Sequence, residues 1–236
     1  MMKKIPTGIS GLDEMLNDGL IENRPYLIAG GPGTGKTILC MQFLMEGVRN
    51  NEKGLFIALE EQASELEENM SSFGWDLKRI KIVDTTQELS TGMWMFRTDS
   101  VVSRPEFTLA NLIGIIRDRL STYQPKRIVI DSLTSVKMLN ESSIESRRDL
   151  LSLINFLYRA NCTTLLTTEI EDAETIMDEF LVSGVIKLHL IEREGDRVSA
   201  ISIDKIRGSS FDRHIRPMKI TNKGISVFPN ESVFGK

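Results

Sequence analysis

Gly30-Gly31-Pro32-Gly33-Thr34-Gly35-Lys36-Thr37 fits the phosphate-binding pattern G-x-x-x-x-G-K-[ST] at every fixed position. The pattern constrains the fold because it works only between a strand and a helix. Glycines let the backbone wrap an anion, and the loop N–H groups and the following helix N-terminus face the phosphates. Lys36 can reach the β- and γ-phosphates, and the Thr37 hydroxyl can ligate Mg²⁺. Both flanks read correctly: Pro25 to Ala29 is a short apolar strand, and Ile38 to Val48 has helical character.

The same alternation continues downstream. Gly54 to Leu59 reads as a second buried strand closed by Glu60-Glu61, Ala63 to Phe73 as a helix stopped by Gly74, and Ile80 to Asp84 as a third strand. Leu109, Leu112, Ile113, Ile116 and Leu120 keep helical spacing and lead to the strand Arg127 to Asp131. Ser142 with Glu145 reads as a capping box for a helix to about Ala160, followed by the strand Cys162 to Thr168. Alternation of this kind predicts an α/β fold with a mostly parallel central sheet flanked by helices. In the last third, Ile186, Leu188 and Leu190, then Ile201 and Ile203, alternate with polar residues about a Glu194-Gly195-Asp196 turn, so antiparallel C-terminal strands extend the sheet edge. With no Pro/Gly/Ser-rich linker and no repeat, residues 1–236 read as a single domain.

Composition narrows the function classes. The 236 residues are 41% hydrophobic and 26% charged, which suits a globular chain with a sizeable core. A net charge of −4 argues against a dedicated nucleic-acid binder. Cys40 and Cys162 sit in apolar segments, outside any C-x-x-C pair, and read as buried free thiols. His189 and His214 are isolated in strand-like surroundings and suggest no zinc site. Met1-Met2-Lys3-Lys4 is followed by no apolar signal region and no run is long enough to span a bilayer, so a cytoplasmic location is expected. The Met93-Trp94-Met95-Phe96 cluster within 85–105 reads either as a hairpin on its own domain or as a protein-partner contact.

Three features could act with the loop. Asp131 ends an apolar strand and can hold Mg²⁺ through water, although strand-end Asp residues also serve as caps. Glu60 and Glu61 follow another strand at the end where open α/β sheets bind ligands; either could polarise a water, or the pair could simply start a helix. Lys205 and Arg207, one residue apart, point the same way on an extended segment. They suit developing phosphate charge or, alternatively, a solvated edge strand.

Taken together and in order, Thr7-Gly8-Ile9-Ser10-Gly11-Leu12-Asp13, the phosphate loop, Leu59-Glu60-Glu61, Ile130-Asp131-Ser132, Thr167-Thr168-Glu169 and Lys205-Ile206-Arg207-Gly208 resemble a single-domain KaiC-like ATPase of the RecA superfamily over about residues 5–228. The resemblance implies a RecA-like P-loop NTPase core, ATP and Mg²⁺ as ligands, and a homo-oligomer, often a hexameric ring, with ATP between subunits. It implies that Gly31, Pro32, Gly33, Thr34, Gly35, Lys36, Thr37 and Ile38 hold the nucleotide, and that Thr37 and Asp131 hold the metal. Glu60 and Glu61 would be the catalytic carboxylates, Thr168 a phosphate sensor, and Lys205 and Arg207 would act in trans on the neighbour's γ-phosphate. The chain departs from the family at Glu22-Asn23-Arg24-Pro25, where a glycine often precedes the first strand, and it carries one such domain where the circadian clock protein has two.

The expected activity is therefore Mg²⁺-dependent ATP hydrolysis in a regulatory ring. The rivals are an autokinase acting on Ser209 or Ser210, a nucleotide-gated scaffold docking a partner through residues 85–105, and a DNA-associated recombinase paralogue.

Overall fold

The computed structural model describes residues 2–85, 108–137, 143–170, 179–193 and 195–234. Eleven strands and six α-helices follow in chain order among these residues. They are β1 (Lys4–Ile5), α1 (Ser10–Met15), β2 (Leu20–Ile21), β3 (Pro25–Gly30), α2 (Lys36–Arg49), β4 (Gly54–Ala58) and α3 (Ala63–Ser71). Then come β5 (Ile80–Asp84), α4 (Leu109–Thr122), β6 (Arg127–Asp131), α5 (Leu133–Lys137), α6 (Ser143–Arg159) and β7 (Thr163–Thr168). The chain closes with β8 (Gly184–Arg193), β9 (Asp196–Ile206), β10 (Arg216–Thr221) and β11 (Gly224–Val227).

Nine of the described strands form one sheet in the order β11-β10-β9-β8-β3-β7-β6-β4-β5. β5, β4, β6, β7, β3 and β8 run parallel, whereas β8–β9, β9–β10 and β10–β11 pair antiparallel. The mostly parallel sheet with an antiparallel C-terminal edge is therefore present. Helices cover both faces, which is why β3, β4 and β7 are buried along their whole length. Tyr26 and Ile28 of β3 pack toward α2 in one core cluster, while Leu27 joins the α4 and α6 side chains on the other face.

Local outcomes differ from the sequence reading in instructive ways. α2 begins at Lys36 rather than Ile38, so Lys36 and Thr37 occupy its first turn. α3 ends at Ser71, and the chain then turns through Gly74, whose φ is +66°. β9 lies between β8 and β10, but β10 pairs with it only at Ala200 and Ile201, so the end of β9 that carries Lys205 remains at the sheet edge. His214 sits in the connection between β9 and β10 rather than in a strand, 2.6 Å from Asp212. Ser142 and residues 86–105, including the Met93–Phe96 cluster, lie outside the described residues. Both cysteines are free and buried.

One buried arginine braces the sheet against α2. Arg127 begins β6 and is 1% exposed. Its Nε donates to Glu52 at 2.6 Å, and Nη1 donates to the Pro6 and Phe43 carbonyls at 2.8 and 2.9 Å. The guanidinium lies over the Phe43 ring, 4.6 Å from its centroid. A side chain at Gly47 would collide with it, so small size at that point of α2 is a packing requirement. The bracing ties the strand that ends in Asp131 to the helix that begins at Lys36.

Candidate nucleotide site

The site lies at the C-terminal ends of the parallel strands, where β3 passes through the glycine loop into α2. Gly35 is the N-cap of α2 with φ of +97°, a left-handed conformation that glycine adopts without penalty. It makes no side-chain cap, so the helix N-terminus is left to other partners. Thr34 Oγ1 donates to Gly31 O at 2.8 Å and holds the loop closed. Lys36 Nζ spans the loop, donating to Gly30 O at 2.8 Å and Gly31 O at 3.0 Å, with Glu169 Oε1 at 4.0 Å.

The first turn of α2 and the end of β7 converge on Asp131, the last residue of β6. Thr37 Oγ1 donates to its Oδ2 at 2.8 Å, and Thr167 Oγ1 donates to its Oδ1 at 2.5 Å. Burial raises the Asp131 carboxyl above its ordinary pKa, and the two hydroxyls and Lys36 offset only part of that. The role of Thr167 was not legible from sequence, although its cause is simple. Ile130 pairs with Leu166 across β6 and β7, so the next residues, Asp131 and Thr167, meet at the sheet end. Thr168, singled out from sequence, is buried, and its hydroxyl donates to Glu169 O at 3.4 Å.

Glu60 and Glu61 leave β4 beside this cluster. Glu60 Oε1 accepts from Ser132 Oγ at 2.5 Å and Ser135 Oγ at 2.6 Å. Glu61 Oε1 accepts from Asn69 Nδ2 at 2.6 Å, and burial raises its pKa despite that bond. Ser132 and Ser135 carried no signal of their own in the sequence beyond their place after Asp131.

The C-terminal hairpin closes the other side of the loop. Ile220 of β10 lies so near Gly35 that a Cβ there would sit 2.8 Å from Ile220 Cδ1. Gln42 of α2 exchanges hydrogen bonds with the backbone of Ile225, which fixes the hairpin to the helix.

Lys205 and Arg207 are brought together, but not at this loop. Lys205 Nζ donates to Glu179 O at 2.6 Å, and Arg207 Nη2 donates to Phe180 O at 2.6 Å. Ile206, between them, is level with Gly184 and through it with Tyr26. Tyr26 is four residues before Gly30, or about 13 Å down the strand. Burial and the Arg207 charge pull the Lys205 ammonium down to about 8.

These side chains suit a magnesium nucleotide. An uncapped helix N-terminus behind a glycine loop takes phosphate, and Thr37 with Asp131 offers the hard oxygen donors that Mg²⁺ requires. Glu60, Glu61, Thr167 and Lys36 surround the same point. The sequence pattern of the family described as ATPase, KaiC, matches residues 5–232. The chain belongs to the KaiC ATPase family. A UPF0273 protein of Methanocaldococcus jannaschii is 35% identical over 241 residues, covering 98% of each chain. The circadian clock oscillator protein KaiC of Parathermosynechococcus lividus is 36% identical over 239 residues, spanning 96% of this chain and 42% of that one. The crystal structure of a KaiC-like protein from Pyrococcus horikoshii superposes with a TM-score of 0.83 at 32% identity, covering 97% of this chain. This KaiC-family ATPase shares with that neighbour its RecA-like P-loop architecture. None of its described helices is long and apolar enough to cross a membrane.

Proposed function

We propose that the protein is an Mg²⁺-dependent ATPase that assembles as a homo-oligomeric ring, with ATP bound between subunits. The observation that carries the reading is the Asp131 cluster, in which a strand-end carboxylate meets the first-turn hydroxyl of the phosphate-loop helix.

In this reading residues 31–38 and Lys36 bind the triphosphate, and the base lies against Ile220. Thr37 and Asp131 hold Mg²⁺, which when bound supplies charge neutralisation at the phosphates. The water oxygen forms a bond to the γ-phosphorus as the bond to the bridging β–γ oxygen breaks. Its proton passes to a carboxylate and the pair of electrons leaves with ADP. The raised pKa of Glu61 suits it to accept that proton, while Glu60 orients the water. Thr168 reports on the phosphate end of the site.

Lys205 and Arg207 act on the adjoining subunit's nucleotide. Their level in the sheet supports this, because about 13 Å of strand separates them from their own loop. Charge supplied in trans is worth roughly 10³–10⁵ in rate in comparable enzymes, which makes turnover depend on assembly. A regulatory or signalling role in the cytoplasm is the wider context we assign. Ser209 and Ser210 are engaged as turn residues, by Lys4 and Asn17 respectively, and this favours hydrolysis over self-phosphorylation.

The test follows γ-labelled ATP with the pure protein and Mg²⁺. Release of labelled phosphate that Lys36→Ala abolishes supports the reading. Label retained on the protein, or left on bound ATP, overturns it.

A further inference from the structure

The short helix α5 begins immediately after the Asp131–Ser132 peptide and puts hydroxyls on both neighbouring strand ends. Thr134 Oγ1 accepts from the Glu169 N–H at 3.2 Å, beyond β7. Ser135 Oγ reaches the opposite way and donates to Glu60 Oε1 at 2.6 Å, beyond β4. Ser132 donates to that same oxygen at 2.5 Å. Glu60 is otherwise exposed, and its Oε2 has no hydrogen-bond partner among the described residues.

We propose that Ser135 is a positioning residue for Glu60, with Ser132 as the second clamp; this rests on the ATPase reading above. An exposed glutamate has three side-chain torsions free, and ordering them at each turnover costs free energy. Two donors converging on Oε1 restrict those torsions beforehand and direct Oε2 outward as the acceptor for a water. Small displacements of a catalytic group are costly, so the clamp acts on the chemical step and not on nucleotide affinity. Ser135 touches neither the nucleotide loop nor Asp131 through any hydrogen bond described, so its influence passes through Glu60.

The experiment is a double-mutant cycle on labelled phosphate release by the full-length protein. Ser135→Ala should lower kcat by about 3- to 10-fold, the scale of one lost hydrogen bond, with KM within about twofold. Ser135→Thr, which keeps the hydroxyl, should restore kcat to within about twofold of wild type. Glu60→Ala leaves Glu61 in place and turnover slow but measurable. In that background Ser135→Ala should change kcat by less than about twofold. A Ser135→Ala loss that persists without Glu60, or a rise in KM in place of a fall in kcat, overturns the clamp. So does a wild-type kcat in Ser135→Ala, or an equal loss in Ser135→Thr. Circular dichroism of each variant confirms that the fold is intact. Failure of wild-type protein to release any phosphate overturns the ATPase reading itself, a result distinct from every failure of the clamp.

Discussion

Thr37 Oγ1 donates to Asp131 Oδ2 at 2.8 Å, across 94 positions of sequence. The bond joins the first turn of α2 to the last residue of β6. The buried Arg127 braces the same helix against the start of that strand, so both ends of β6 are fixed to α2. Asp131 is left as a half-buried carboxylate whose oxygens are met by two neutral hydroxyls, and desolvation raises its pKa. Such a group destabilises the ligand-free fold in its charged form and is relieved by a bound cation.

Asp131→Asn should therefore separate stability from binding. A carboxyl whose folded pKa lies above its unfolded value favours the native state while protonated, and that contribution is lost as pH rises through the folded value. At neutral pH the wild-type protein carries the cost, and the amide does not. The variant should melt higher than wild type without nucleotide, and it should lose the rise in Tm that Mg-ATP produces. Differential scanning fluorimetry with and without Mg-ATP reads both; a ligand-free variant melting lower than wild type would count against this account.

The depressed Lys205 gives an alkaline limb. Its ammonium titrates at about 8 in the folded chain, against an ordinary value of 10.5. If its charge serves the neighbouring nucleotide, kcat/KM should fall as pH rises through about 8, approaching about tenfold per unit. Lys205→Arg, which does not titrate in this range, should flatten the limb. Stability should move oppositely: between about 8 and 10.5 the unfolded amine holds more protons than the folded one, so the fold gains stability with rising pH. A kcat/KM profile of wild type and Lys205→Arg that superimposed up to pH 10 would refute the assignment.

Much of this was legible in the chain. The strands at Ile80–Asp84 and Arg127–Asp131 fall where apolar runs placed them: Arg127–Asp131 lies inside the sheet and is buried through Ile130, while Ile80–Asp84 ends the strand order and leaves Lys81 exposed. The phosphate loop and Asp131 were readable because their spacing and strand-end position encode their geometry. Thr167, Ser132 and Ser135 were not, since hydroxyls are common and only the strand register brings them to Asp131 and Glu60. The place of β9 between β8 and β10 was hidden for a similar reason: the hairpin β10–β11 beside it carries weak alternation, and pairing order is a long-range property.

The fixed and variable glycines of the loop should respond differently. A Cβ at Gly30 would lie 2.7 Å from Thr34 Oγ1 and 2.9 Å from Leu188 O, and the second of these is backbone that cannot swing away. A Cβ at Gly31 would meet nothing within 4 Å. Gly30→Ala should cost about 1–3 kcal/mol and weaken ATP binding, as overpacking does elsewhere. Gly31→Ala should stay within about 0.5 kcal/mol of wild type in folding stability. Urea denaturation distinguishes the two, a fluorescent-nucleotide titration reads the binding loss in Gly30→Ala, and equal losses of stability in both variants would contradict the packing argument.

Action in trans predicts complementation. Lys36→Ala removes the loop lysine but leaves Lys205 and Arg207 intact; Arg207→Ala does the reverse. Each variant alone should release phosphate at a small fraction of the wild-type rate. Subunits in a ring meet head to tail, so each interface pairs one chain's loop with the next chain's cations. When the two variants are mixed equally and allowed to exchange, about one quarter of interfaces combine an intact loop with an intact pair of cations. The mixture should then recover about a quarter of wild-type turnover, and dilution that dissociates the assembly should remove it. Were the cations to serve their own loop, every chain in the mixture would still carry one defect, and mixing would restore nothing.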